Sequence, residues 1–316
     1  MSSPLIFSTE ASSSLAKKIA LHLGMAGTMG QIDRRIFPGG ERYYRIGIDD
    51  RAGLMGKDVV FIGSTHDDQS LLELHRVGCA LAGYGARRRI FVIPFFGYST
   101  MERAKLPGEV VTAKTNMRIL SSIPNTGEGN IFLFLDLHSE SLIHYLEGDC
   151  LRFELYAEPF IRRAVTALGL ENFVFGSADL GRPKWIKSYA KHFGVPIVLV
   201  NKDREFEITK VNAVIGNPAG KTIIIYDDMI RGGLSLIDAA EAYLAEGAKD
   251  VYAVVTHLAL TSESVVQKLE ASPIVKIIGT NSHPMSRSEV VQESKKISVI
   301  DISSVFAQTI AKLLTR

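Results

Sequence analysis

The sequence predicts an α/β protein, doubly wound, with two successive parallel sheets. Three observations lead there. Short runs of β-branched and aromatic residues recur along the chain, each followed by a segment with helical period. These runs are apolar throughout, the pattern of strands buried on both faces by covering helices. The pattern occurs once before about residue 150 and again after it, in a chain of 316 residues, long enough for about two domains.

The elements follow in order. Residues 57–63 read as a strand leading into a helix over 69–84, and residues 89–94 as a strand that stops at a glycine-containing loop. A strand at 130–135 closes the first half. A helix over 157–168 opens the second, followed by strand 173–177 with helix 183–193 and by strand 196–200. Strand 221–226 precedes helix 235–246, and strand 250–256 precedes helix 263–270. A last helix over 302–314 is free to pack on either half. The stretch LEGDCLRFELYAEP reads as the crossover, so the expected domains are 1–150 and 151–316, with the terminal helix able to return to the first.

Composition narrows the class. Apolar residues make up 46% and charged residues 22%, values of an ordinary soluble globular protein. A net charge of +2 gives no support to a nucleic-acid groove or an anionic membrane surface. Cys79 and Cys150 lie far apart with no CxxC spacing, so neither a disulfide framework nor a cysteine metal site is expected, which fits a reducing compartment. The start lacks a basic segment followed by an apolar one, and no apolar run reaches the roughly 20 residues that span a bilayer. A soluble, cytoplasmic protein is the expectation. Arg87-Arg88-Arg89 reads as a solvated cluster at the start of a strand.

In open parallel sheets ligands bind at the carboxyl ends of the strands, so those ends carry the chemistry. After strand 221–226 comes Asp227-Asp228-Met229-Ile230-Arg231-Gly232-Gly233-Leu234-Ser235, then a helix. Two carboxylates suit sugar hydroxyls, while a glycine turn and a helix N-terminus suit a phosphate. Acid pairs directly after a buried strand are rarely accidental, because carboxylates are costly to desolvate. Asp136-Leu137-His138 follows another strand. His138 there suits a magnesium ion or an ATP phosphate, although such a His alone is more often a structural hydrogen-bonding residue. Asp179, in Ala178-Asp179-Leu180-Gly181-Arg182, is a candidate metal carboxylate. Asn201-Lys202-Asp203-Arg204-Glu205 places two cations at alternate positions, in isolation a solvated loop. Pro94 through Arg103 offers aromatic, hydroxyl and charged groups suited to a nucleotide, and Phe37-Pro38-Gly39-Gly40-Glu41 by itself is a turn.

Together and in this order, these strings resemble the ribose-phosphate pyrophosphokinases, the PRPP synthetases, from Phe37 to about Pro284. The resemblance implies two tandem domains of the type I phosphoribosyltransferase fold. It implies pyrophosphoryl transfer from MgATP to the 1-hydroxyl of ribose 5-phosphate, with Mg²⁺ as cofactor. It implies a role for each matching residue. His138 matches a ligand of the magnesium of MgATP, and Asp179 an acid that meets metal and ribose. Lys202 and Arg204 match the catalytic cations of a flexible loop. Asp227 and Asp228 match the pair that holds the ribose hydroxyls, with Arg231, Gly232, Gly233 and Ser235 in the phosphate loop. Phe37 and Glu41 match residues that reach the adenine of a neighbouring subunit's ATP. Tyr98, Thr100, Glu102 and Arg103 match the lining of the ATP site. A dimer-based homo-oligomer, with a hexamer as first expectation, follows from the same resemblance.

Several positions depart from the family pattern. The phosphate loop, usually DDxxDTxGT, here has Arg231 for the third acid, Gly232 for a Thr, Leu234 for a Gly and Ser235 for the last Thr. Thr100-Met101-Glu102 stands for Arg-Gln-Asp, and Gly39 replaces the Asp of FxDGE. These changes keep two further expectations open: transfer to a larger acceptor such as ADP-ribose, and a non-catalytic regulatory subunit associated with an active synthetase.

Overall fold

The computed structural model describes residues 3–179, 183–205 and 208–315, with the backbone alone for Pro183, Lys184, 202–205 and 208–212. The chain divides into two compact units, Met1–Tyr156 with Ile302–Arg316, and Ala157–Asp301.

The first unit opens with β1 (Leu5–Ser8) and α1 (Ser13–His22), then a hairpin of β2 (Ile32–Ile36) and β3 (Arg42–Ile46). It continues through β4 (Asp58–Ile62), α2 (Asp68–Gly83), β5 (Arg88–Ile93), α3 (Thr112–Ser121), β6 (Gly129–Leu135) and β7 (Leu151–Leu155). Among the described residues the sheet runs β1-β4-β5-β6-β7, parallel throughout. Every residue of β4, β5 and β6 is buried, as the continuous apolar runs require. Phe91 and Phe132 stack across β5 and β6 with ring centroids 5.1 Å apart. α2 begins on Asp67, whose carboxylate accepts from the Ser70 amide at 2.7 Å and so satisfies a helix-end donor.

The second unit contains α4 (Glu158–Ala167), β8 (Phe173–Ser177), α5 (Pro183–Phe193), β9 (Ile197–Glu205) and β10 (Ile208–Ile215). Then come β11 (Thr222–Ile230), α6 (Leu234–Ala245), β12 (Asp250–Leu258), α7 (Glu263–Ala271), β13 (Lys276–Thr280), α8 (Glu289–Gln292) and β14 (Ile297–Ile300). Its sheet runs β10-β9-β8-β11-β12-β13-β14, antiparallel only where β10 returns along β9. The helix α9 (Ser303–Leu314) closes the chain and packs on α1 of the first unit, burying Phe306 and Ile310.

Four expectations change. The stretch read as a crossover holds β7, a fifth parallel strand hidden because an edge strand tolerates Arg152 and Glu154. Strand β9 does not stop at Val200 but runs through Lys202 and Arg204, which pair with β10 at Val211 and Thr209; charge ended the apolar run and not the ladder. Strand β11 continues to Ile230, so Asp227 and Asp228 sit inside a strand that still pairs with β12. Two of the three arginines in the 87–89 run, Arg88 and Arg89, are buried and Arg87 is half-buried, where the sequence predicts a solvated cluster. Arg89 is fully buried, bonded to Asn130 and to the carbonyls of Ala86 and Thr126 at 2.6 Å each. Arg88 and Arg87 both grip Asp58, at 2.7 and 2.8 Å, and Arg88 also donates to the Leu313 carbonyl of α9. Burial pushes the Asp58 carboxyl up, but hydrogen bonds from Arg87 and Arg88 outweigh it and hold the group below its usual range.

Candidate functional site

In the first unit three neighbouring strands, β4, β5 and β6, end side by side. Residues 64–68 follow β4, residues 94–103 follow β5, and Asp136-Leu137-His138 follows β6. The first two segments are locked together. The Thr65 amide donates to the Phe95 carbonyl at 2.9 Å and the Gly97 amide to the Thr65 hydroxyl at 3.2 Å. A side chain at Gly97 would place Cβ 2.1 Å from the Thr65 carbonyl oxygen, so only glycine permits this approach. Tyr98, at φ 59°, then occupies the left-handed region that aromatic residues rarely adopt, and its hydroxyl donates to Asp68 at 2.7 Å. Ser99 is buried, Thr100 and Glu102 are half-buried, and Arg103 is exposed beside Glu102 at 3.4 Å.

The β6 end is shaped from β7. Asp136 takes φ 39° and its amide donates to the Leu155 carbonyl at 2.9 Å, while the Leu137 amide donates to Glu154 at 2.9 Å. This turn sets His138, half-buried, at the end of the central part of the sheet. Tyr156 stands near by, its phenol pushed up to about 12 by burial and by the charges of Glu154, Asp136 and Glu140. Phe37 and Glu41 flank the β2–β3 turn, closed by Phe37 N–H to Glu41 O at 2.9 Å. Both side chains are exposed, and Tyr43 lies 5.7 Å from the Phe37 ring.

In the second unit the acids gather. Asp228 is buried, Asp227 half-buried, and the Asp228 amide donates to the Asp227 carboxylate at 2.9 Å. Asp179 follows β8, the neighbour of β11, where Ser177 pairs with Tyr226. Loss of solvent, with Asp228 beside it and Asp179 close enough to repel, holds the Asp227 carboxyl well above the usual range. After β11 the chain turns through Gly232 into Gly233, whose φ of 77° is left-handed and caps α6 with no side-chain partner. The Gly232, Gly233 and Leu234 amides donate to no group among the described residues. They form an open set of N–H groups at the N-terminus of a 12-residue helix. Arg231 and Leu234 are exposed beside them, as is Ser235 in the first turn.

The sequence therefore identifies residues that the fold brings into two groups. One holds Tyr98, Thr100, Glu102, Arg103 and His138. The other holds Asp179, Asp227, Asp228 and the turn from Arg231 to Ser235. Phe37 and Glu41 stand apart on their hairpin. The side chains of Lys202 and Arg204, and residues Leu180, Gly181 and Arg182, lie outside the described residues. Among the described residues no three His, Cys, Asp or Glu are grouped to hold a metal ion, and no helix is long and apolar enough to cross a membrane.

Two contributors escaped the sequence. Asp68 reaches Tyr98 from 30 residues away. Tyr243 of α6, fully buried, donates to the Ser177 and Val198 carbonyls at 2.9 and 3.2 Å and accepts from the Ser177 amide at 3.1 Å. It fixes the end of β8 just ahead of Asp179. Its only trace in the sequence is a tyrosine within the buried stripe Leu236, Ala239, Ala240 of an otherwise aliphatic helix face.

With acids and open amides adjoining on one strand-turn-helix, comparison with known proteins becomes decisive. A curated ribose-phosphate pyrophosphokinase of Gloeobacter violaceus is 30% identical over 302 residues, covering 94% of this chain and 87% of the relative. The chain belongs to the ribose-phosphate pyrophosphokinase family. A second such enzyme, from Fusobacterium nucleatum, is 29% identical over 313 residues, 98% of this chain and 94% of its own length. Residues 4–123 match the family described as the N-terminal domain of ribose phosphate pyrophosphokinase, and residues 189–316 the phosphoribosyl synthetase-associated domain. The crystal structure of phosphoribosylpyrophosphate synthetase from Mycobacterium smegmatis superposes with a TM-score of 0.85 at 24% identity, covering 99% of each chain, and so shares the fold. Membership makes this chain a ribose-phosphate diphosphokinase by class, on tandem phosphoribosyltransferase-like sheets.

Proposed function

We propose that this chain transfers the β,γ-diphosphate of MgATP to the 1-hydroxyl of ribose 5-phosphate, giving 5-phosphoribosyl 1-diphosphate and AMP. The observation that carries the acceptor assignment is the juxtaposition of Asp227 and Asp228 with the open amides of Gly232, Gly233 and Leu234. A phosphorylated sugar has both complements, hydroxyls that donate to carboxylates and a dianion that accepts from amides at a helix N-terminus. In the reaction the sugar O1 forms a bond to Pβ and the bond from Pβ to the α,β-bridging oxygen breaks. AMP leaves with that electron pair, and the hydroxyl proton passes to solvent.

Such a transfer asks the protein for alignment and charge more than for covalent chemistry. In this reading Asp227 and Asp228 hold the ribose hydroxyls and so aim O1. The turn from Arg231 to Ser235 anchors the distal phosphate. Lys202 and Arg204 neutralise the oxygens of the transferring group. Tyr98, Thr100, Glu102, Arg103 and His138 bind ATP, with Phe37 and Glu41 supplied by a neighbouring copy in a homo-oligomer. The acid edge suits Mg²⁺: loss of solvent, then Asp228 and Asp179, holds the Asp227 carboxyl above its usual range, and a hard cation that prefers oxygen ligands would relieve that repulsion. On the nucleotide side His138, and on the acceptor side Asp179, is the residue that would hold a magnesium ion, which when bound would neutralise phosphate charge.

One feature favours a second reading. Gly232 has open space where a side chain would stand, Leu234 is 59% exposed, and Arg231 makes no ion pair among the described residues. A larger acceptor such as ADP-ribose has a second phosphate for Arg231 and a body that the turn does not obstruct. The test is AMP release from MgATP by the purified protein with ribose 5-phosphate, with ADP-ribose, or with neither. AMP formed with ribose 5-phosphate supports the proposal. AMP formed mainly with ADP-ribose moves the acceptor to the second reading, and no AMP with either leaves a regulatory subunit of another synthetase as the function.

A further inference from the structure

Two loops of the first unit meet more tightly than chain connectivity demands. The segment after β4 and the segment after β5 are joined by the bonds at Thr65, Phe95 and Gly97, and the last link is between side chains. There the Tyr98 hydroxyl donates to Asp68 at 2.7 Å. Tyr98 is one of two described non-glycine residues at positive φ, a backbone that persists only where its surroundings hold it. The glycine approach at Gly97 fixes the backbone before it, and the turn from the Met101 amide to the Tyr98 carbonyl, 2.8 Å, fixes it after. Neither sets the ring. Among the described residues the hydroxyl at the tip of the ring is held by Asp68, in the first turn of α2.

We propose that Asp68 is a positioning residue for the nucleotide: by holding the Tyr98 hydroxyl it fixes the Tyr98 ring as a preformed wall for the nucleoside of ATP. This rests on the reading of residues 98–103 as the ATP side of the site. A phenol that spends its proton on a carboxylate does not spend it on the ligand, so the ring serves by its face and edge. A preformed wall strengthens binding by removing the cost of ordering the side chain, and it does so equally in the ground and transition states. Its loss therefore falls on nucleotide affinity and not on turnover.

The variants Tyr98→Phe, Asp68→Ala and Asp68→Asn test this, together with the double variant Tyr98→Phe/Asp68→Ala. Calorimetric binding of MgATP to the full chain is read beside the KM for ATP, the acceptor KM and kcat. Tyr98→Phe keeps the ring and loses the bond, so the ATP dissociation constant and KM are expected to rise about five- to tenfold. The acceptor KM and kcat are expected to stay within about twofold. Asp68→Ala is expected to match it, the double variant to be no worse than either single, and Asp68→Asn, which keeps an acceptor oxygen, to recover most of the affinity. Unchanged ATP affinity in Tyr98→Phe and Asp68→Ala, additive effects, or a loss confined to kcat or to the acceptor would overturn the proposal. A wild-type protein that binds MgATP but releases no AMP would sink the transfer reaction alone, because the dissociation constants still report the brace. Wild-type protein that binds no MgATP would sink the brace as well.

Discussion

The strand ends of the two units solve opposite problems. In the first unit the carboxyl edge is tied together by its own bonds: Gly97 on Thr65, Tyr98 on Asp68, Leu137 on Glu154, Asp136 on Leu155. In the second, like charges are crowded at Asp179, Asp227 and Asp228, and three amides at the head of α6 meet no acceptor among the described residues. The first edge is preorganised and the second is frustrated without a ligand. Preorganisation suits a nucleotide bound through its shape, since rigid walls lower the ordering cost. Frustration suits a ligand that brings hydroxyl donors, phosphate and cation, because each relieves a cost already present. The contrast makes the acceptor edge the part of the molecule whose stability should respond most to what is bound.

The largest effect is expected at the cations that extend β9 beyond the carboxyl end of its parallel neighbour β8. Lys202→Ala is expected to lower AMP formation by about 10²–10³-fold, the usual consequence of removing a preorganised charge from a transferring group, with the melting temperature unchanged. Turnover within a few-fold of wild type would remove Lys202 from the machinery. It would also leave the acidic edge as the main source of catalytic alignment.

How much of this was legible follows from what hides a strand. β4, β5 and β6 announce themselves because both faces are covered and nearly every residue is apolar. β7, β2 and the extension of β9 beyond Val200 do not, since LRFEL, IDRRI and NKDRE carry charge that ends the apolar run. For the same reason Asp227 and Asp228 read as a loop: polarity ended the pattern at Tyr226, whereas pairing with Val255 and beyond continued the strand. The acid pair and the glycine turn are visible because they are contiguous. The Asp68–Tyr98 and Tyr243–Ser177 links are not, because they join residues 30 and 66 apart whose types alone predict no meeting. Arg89 misled for the complementary reason: three arginines in a row look solvated, yet β5 is buried on both faces and Asn130 with backbone carbonyls satisfies the Arg89 guanidinium there.

A carboxylate in the first unit should behave conventionally. Asp58 is held below its usual range by Arg87 and Arg88, so its ionised form stabilises the fold above the unfolded value near 4. That stability is lost as pH falls through the lower folded value. Asp58→Asn is expected to cost about 2 kcal/mol at neutral pH, mostly through Arg88, whose side chain is only 9% exposed; Arg87, at 35%, is partly screened by solvent. Denaturant unfolding at pH 7 and pH 3 checks it, because the gap between variant and wild type should narrow at the lower pH. An equal gap at both would assign the loss to packing.

Asp227 is expected to show the reverse sign at a smaller size, and so bears most directly on the contrast between the edges. Its folded value is raised, first by lost solvation and then by Asp228 and Asp179. A raised carboxyl favours the folded state only while protonated. Relative to a neutral side chain, it costs nothing below the unfolded value near 4 and progressively destabilises as pH rises through its folded value. Asp227→Asn is therefore expected to raise the stability of the ligand-free protein by about 1 kcal/mol at pH 8 and to leave it unchanged at pH 3.5, while turnover with ribose 5-phosphate is lost. Adding Mg²⁺ with ribose 5-phosphate should raise the melting temperature of the wild type more than that of the variant, since the variant no longer carries the repulsion that the ligands relieve. A variant less stable than wild type at pH 8 would mean that Asp227 is already neutralised within the fold, and the acceptor edge would then be as well satisfied as the nucleotide edge.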